Sequence, residues 1–184
     1  MTTPDTNADR AEGSGGSTTR TERRGVRVGV DVGSARVGVA ASDPTASFAH
    51  PVRTLARDEQ HQSDLVELQT LVEELGAVEV VVGLPLLLSG REGEAAQLAR
   101  AYAVAIAARM GTVTVRLVDE RLTTVDAHRR LRDSGLPGRG HRKVVDQAAA
   151  VLILQTALDT EASSGRPPGE PVSPGGRRKK ERRR

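Results

Sequence analysis

Residues 26–43 read VRVGVDVGSARVGVAASD, and this stretch decides how the rest of the chain is read. Valine alternates with arginine, glycine or alanine over 26–32 and again over 36–42, with Gly33, Ser34 and Ala35 between the two runs. Period-two alternation of β-branched residues on either side of a short turn predicts a β-hairpin. One residue breaks the rhythm. Asp31 stands inside the first apolar run, where a carboxylate is costly unless a turn or a chemical task requires it.

Outward from the hairpin, the elements follow one another in a legible order. A third strand is expected at 51–57. Leu65, Leu68, Val72 and Leu75 recur at helical spacing between a Ser63 N-cap and a Gly76 stop. The run VEVVVG at 78–83 is short and almost wholly β-branched, as in a parallel strand buried on both faces. A helix over Glu92 to Met110 would turn Ala95, Leu98, Tyr102, Ala105 and Ile106 inward, and a fifth strand is expected at 112–119. A helix capped by Thr123 or Thr124 would stop at Gly135, followed by a glycine- and arginine-rich loop over 135–142. The last helix, from Lys143 onward, is apolar nearly all round and is therefore expected to be buried. Three antiparallel strands followed by alternating helices and strands give an α/β sandwich on a mixed five-stranded sheet.

Composition divides the 184 residues into three parts. Residues 1–24 carry almost no large apolar side chain and are expected to form a disordered arm. Residues 25–161 hold the apolar side chains of one domain, and 162–184 form a low-complexity basic tail ending GGRRKKERRR. The tail accounts for the high isoelectric point and leaves the body net acidic. Such a tail is an electrostatic footprint for nucleic acid, or simply a solubilising end. The chain has no cysteine, which excludes disulfides and thiolate metal sites. With no apolar run near ~20 residues and no signal-peptide core, the sequence reads as soluble and cytoplasmic, with no membrane partner. Phe48 and Tyr102 are its sole aromatic residues, too few for a base-stacking platform.

Functional groups in parallel α/β sheets gather at the carboxyl ends of strands. Asp31 lies near the end of the first strand, and Asp119 and Glu120 close the fifth. If those two strands are neighbours, Asp31 and Glu120 converge. Asp146 opens an otherwise apolar helix among Val144, Val145, Ala148 and Ala149. Three carboxylates a few ångströms apart repel one another unless a cation compensates them, and Mg²⁺ or Mn²⁺ accepts such hard oxygen ligands. Two ions about 3.5–4 Å apart in such a cluster suit phosphodiester hydrolysis. Gly33 would keep the turn beside Asp31 open to a phosphate. Taken singly, each acid has an ordinary structural account, Asp31 as a turn acid, Asp119 and Glu120 as strand-end groups, and Asp146 as a complement to a helix N-terminus. Only their conjunction favours chemistry.

Four segments, GVDVGSARVGVAASD (29–43), VVVGLPLLLSGREG (80–93), VDERLTTVDAHRRL (118–131) and VDQAAAVLILQTAL (145–158), resemble in order and spacing the YqgF (RuvX) family. These are proposed Holliday junction resolvases now regarded as pre-16S rRNA nucleases, and the similarity spans residues 25–160. The resemblance implies an RNase H-like fold and a metal-dependent endonuclease. Its substrate would be the 5′ end of the 16S rRNA precursor, with branched DNA as the alternative. Carried over by position, the acidic triad falls on Asp31, Glu120 and Asp146, both as catalytic groups and as ligands of Mg²⁺ or Mn²⁺. The family's arginines fall on Arg36 and Arg121. The chain departs from the family after Gly-Leu-Pro, where a polar loop is replaced by Leu86, Leu87 and Leu88. Those leucines would pack on a partner or on the 135–142 loop.

Arg36, Arg121, Arg142 and Lys143 are the expected nucleic-acid contacts, with Arg139 beside them, because arginine's planar fork suits phosphate oxygens. His50, His61, His128 and His141 lack metal-ligand spacing. Neither Ser42 nor Thr123 has the partners of an activated nucleophile. Two other readings are open. One is a non-catalytic RNA-binding assembly factor using the basic tail. The other is a sugar-kinase or actin-like phosphotransferase, for which the chain is too short and lacks a phosphate-binding loop. Either a monomer or a homodimer is compatible with the sequence.

Overall fold

The computed structural model describes residues 24–122 and 139–175. The hairpin forms as expected, β1 (Arg27–Val32) and β2 (Arg36–Ser42) pairing antiparallel with Asp31 opposite Gly38. β3 (Ala49–Ala56) pairs antiparallel with β2 and makes one edge of the sheet. β4 (Glu79–Leu84) and β5 (Thr114–Asp119) follow, with β1–β4 and β4–β5 both parallel. The strand order is β3-β2-β1-β4-β5-β6.

The sheet has six strands rather than five. β6 (Glu170–Val172) pairs antiparallel with β5 and lies in the segment that composition assigns to the tail. Nothing in its three residues alternates, so periodicity could not signal it. Side chains elsewhere hold it: the Arg116 guanidinium donates to the carbonyls of Pro168 and Gly169 at 2.7 and 2.8 Å, and Arg100 pairs with Glu170 at 2.5 Å.

α1 (Ser63–Glu74) and α2 (Glu94–Arg109) cover one face of the sheet, and α3 (Arg139–Ser164) covers the other. The expected helix from Thr123 or Thr124 to Gly135 lies outside the described residues, as do the terminal arm and the end of the tail. α1 starts one residue earlier in function than expected. Ser63 is its first helical residue rather than its cap, and its hydroxyl donates to Asp58 at 2.7 Å. The Gly76 stop is as expected. Gly76 at φ +57 and Ala77 return N–H bonds to the carbonyls of Glu73 and Val72, closing the helix.

On α2 the buried stripe is Ala96, Ala99, Tyr102, Ala103 and Ile106, while Ala95 is exposed. The alanine-rich sequence carries no sharp apolar face, so packing and not periodicity selects it. α3 is not enclosed on all sides as expected. It buries Ala149, Ala150, Ile153, Leu154, Ala157 and Leu158 against the sheet and leaves Val151 and Leu152 half-buried, because no second helix lies beside it among the described residues. Where α3 crosses the sheet, β1 and β2 present glycines. A Cβ on Gly29 would stand 2.6 Å from Leu154 Cβ, and one on Gly38 would run into the Asp146 carbonyl. These missing side chains are what let α3 seat so closely.

Among the described residues, buried charge is held in close ion pairs. Arg27 at the start of β1 pairs with Glu79 at 3.3 Å and with Glu161 of α3 at 2.6 Å. On the other face Arg57 pairs with the fully buried Asp64 at 2.6 Å and lies 4.8 Å from the Tyr102 ring centre. Both are cross-element ties, since a buried ion requires a close counter-charge.

Candidate active site

The carboxyl ends of β1, β4 and β5 coincide because the three strands are parallel. Side chains two residues apart on a strand share a face. Gly29 of β1 faces α3, so Asp31 does as well. Gly38, opposite Asp31, points at the backbone of Asp146, which brings the first turns of α3 over the same point. Asp31 and Glu120 do not come from neighbouring strands, as the converging arrangement would have it. β4 runs between them.

What spans that gap is an absent side chain. Gly83, near the end of β4, lies beside Val118 of β5, and a Cβ on it would stand 2.6 Å from both Glu120 Oε1 and Ile153 Cδ1. Glu120, just beyond β5 in a single 3₁₀ turn (Glu120–Leu122), therefore extends across β4 on the α3 face. Asp31, Glu120 and Asp146 thus occupy one face at one end of the sheet, each partly accessible to solvent. Gly38 and Gly83 are the site residues that sequence reading misses. Their signal was present, as lone glycines in otherwise β-branched strands (RVGVAAS and EVVVGL).

Arg36 also joins this face. Its Nε donates to Asp146 Oδ2 at 2.7 Å, with the two side chains 33% and 26% exposed. Arg121 turns to Asp119 instead, donating through Nε, Nη2 and its backbone N–H at 2.6–3.0 Å. That guanidinium holds the Asp119 carboxyl below the usual carboxylate range. Asp119 is thereby a positioning group for Arg121, and Glu120 is the acid of the pair that faces α3. Arg142 and Lys143 lie one turn before Asp146 on α3, and their side chains are outside the described residues. Gly33 has a local reason to be glycine: its N–H donates to the Arg36 carbonyl at 2.8 Å, and a Cβ there would press on that oxygen at 2.9 Å.

The donor set suits a hard divalent cation, being three carboxylates on three separate elements. Among the described residues no group of three His, Asp or Glu stands close enough to hold a metal ion. The three acids share a face without closing into a coordination cluster, and Asp146 is paired with Arg36.

The whole body of the chain, residues 25–160, matches the family model described as "RuvX: Holliday junction resolvase". A relative from Frankia casuarinae is 56% identical over 142 residues, covering 77% of this chain and 70% of its own. One from Nocardioides sp. is 55% identical over 152 residues, covering 82% and 97%. Both carry the provisional name pre-16S rRNA nuclease. Among solved structures, T. thermophilus RuvC in complex with Holliday junction substrate superposes with a TM-score of 0.52 at 15% identity, covering 79% of this chain and 99% of that one. That likeness establishes the fold as RNase H-like. With its hairpin acid, its strand-end glutamate and its helix aspartate all inside the matched region, the chain belongs to the RuvX family.

Proposed function

We propose that the chain is a divalent-metal-dependent endonuclease that cleaves phosphodiester bonds and processes the 5′ end of the 16S rRNA precursor in the cytoplasm. The observation that supports it is the placement of Asp31, Glu120 and Asp146 on one face at the carboxyl end of the parallel strands, where Gly38 and Gly83 make room for the Asp146 backbone and for Glu120. The name carried by the relatives supports the RNA substrate. Among the described residues no helix is long and apolar enough to cross a membrane.

Asp31, Glu120 and Asp146 would hold the ion, which when bound supplies Lewis acidity and neutralises phosphate charge. The chain's own residues do the rest. The β1–β2 hairpin fixes Asp31 by its ladder and Arg36 at the far side of the turn, so the spacing between acid and guanidinium is set by backbone. Arg36 can pass from the Asp146 carboxylate to a phosphate oxygen, because both offer its planar fork the same geometry. Glu120 and Ile153 of α3 both lie over Gly83 on that face.

The test is incubation of the purified protein with a 16S precursor fragment and with a four-way DNA junction, with and without Mn²⁺ or Mg²⁺. Asp31→Asn should lower cleavage by more than about 100-fold, since groups one shell further out already account for 10–100-fold. Its circular dichroism and melting temperature should match the parent. Undiminished cleavage by Asp31→Asn at saturating Mg²⁺ defeats the assignment.

A further inference from the structure

The loop after β4 is not absorbed by the acidic site. Leu86 and Glu92 form an isolated bridge, the Leu87 N–H donates to the Arg91 carbonyl at 2.9 Å, and the Gly90 N–H donates to the Leu87 carbonyl at 2.8 Å. The result is a closed turn with Leu88 and Ser89 at its corners, completed by Gly90 at φ +80, a conformation that favours glycine. Leu87 folds back to within 3.4 Å of the Cβ position of Gly93. Leu88 does not fold back. It is 96% exposed.

An exposed leucine on its own is ordinary. Three features set this one apart. The turn is hydrogen-bonded shut, so the side chain is presented and not left to move with a slack loop. It stands in the loop that follows β4, the strand between β1 and β5, at the carboxyl end of the parallel strands. Guanidinium groups also stand beside it, Arg91 exposed on the turn itself and Arg121, paired with Asp119, with its Nη1 3.4 Å from the Cβ position of Gly90. Apolar tip and flanking guanidinium groups together match a nucleic-acid strand, whose base stack is apolar and whose rails are phosphate. Aromatic side chains cannot serve here: Tyr102 is on the buried side of α2, and Phe48 lies in the β2–β3 connection at the opposite end of the sheet.

We propose that the 87–91 turn is a wedge, with Leu88 entering between bases beside the scissile phosphate while Arg91 and Arg121 contact the flanking phosphates. The inference rests on the nuclease reading and narrows its substrate class to paired strands opened at a boundary with unpaired ones. A wedge costs nothing on a strand that is already unpaired, and it matters where bases must be unstacked. Leu88 therefore affects paired and unpaired substrates differently.

The experiment uses the full-length protein with Mn²⁺ and two RNAs, a stem carrying 2-aminopurine at its last base pair and an unstructured strand of the same length. Wild-type protein should raise 2-aminopurine fluorescence before cleavage of the stem. Leu88→Ser should abolish that rise and slow stem cleavage about tenfold, with cleavage of the unstructured strand within twofold of wild type. Leu88→Phe should keep the rise. An unchanged rise and unchanged stem cleavage in Leu88→Ser overturn the wedge alone, including the case in which the turn docks a protein. Failure of the wild-type protein to cleave either RNA defeats the nuclease reading and the wedge with it.

Discussion

Replacing Gly83 with alanine tests the geometry of the site at its least obvious point. The added Cβ would stand 2.6 Å from Glu120 Oε1, 2.6 Å from Ile153 Cδ1 and 3.2 Å from Ile153 Cγ1. Ordinary van der Waals contact begins near 3.4 Å, so each first-contact atom must retreat by about 0.8 Å. Ile153 is fully buried, so overpacking should destabilise the fold by about 1–3 kcal/mol. The lower half of that range is expected, because both displaced groups are ends of side chains and not backbone. Glu120 is partly exposed and can swing outward, which relieves the clash at the expense of the site. Displacement of a reacting group by about 1 Å can lower the rate some 100-fold, so cleavage should fall 10- to 100-fold. Urea unfolding gives the stability change, and single-turnover cleavage of the precursor RNA gives the rate. Gly111→Ala is the control, since nothing lies within 4 Å of its Cβ position. Wild-type cleavage by a folded Gly83→Ala protein would show that Glu120 does not act from this position.

Two further outcomes are expected. Arg36→Ala removes the cation bound to Asp146 at 2.7 Å, and the half-exposed pair contributes only about 0–1 kcal/mol to stability. Mn²⁺ should therefore bind at least as tightly as in the parent, by isothermal titration, while cleavage falls. Weaker Mn²⁺ binding would mean that Arg36 supports the acidic cluster and not the phosphate. At low pH, Asp58 accepts the His61 N–H and the Ser63 hydroxyl, which pull its pKa from 3.8 down to about 2. Its folded value lies below its unfolded one, so its contribution to stability is complete above about pH 3.8 and is lost as pH falls toward 2. A carboxyl-carbon NMR titration with a midpoint near 3.8 would contradict those bonds.

The hairpin, the five long strands and the three described helices were legible because their signals are local. β-branched alternation marks β1 and β2, a continuous valine run marks β4, and Gly76 ends α1. Asp31 and Asp146 stood out as charges in apolar runs, and Glu120 as an acid at a strand end. β6 was not, since three residues bounded by prolines and glycine acquire strand geometry only from Arg116, Arg100 and the open edge of β5. The buried stripe of α2 was not either, because alanine fits any side of a helix.

Sequence alone nominated Asp31 and Asp146 as charges in apolar runs and Glu120 as a strand-end acid that the family resemblance matches. It could not say that β4 lies between the two strands bearing Asp31 and Glu120, because strand order depends on pairings between residues far apart in the chain. Nor could it say what Gly38 and Gly83 make room for. A glycine's contribution there is the volume it leaves empty, and that volume has meaning only once α3 and Glu120 have been folded against it.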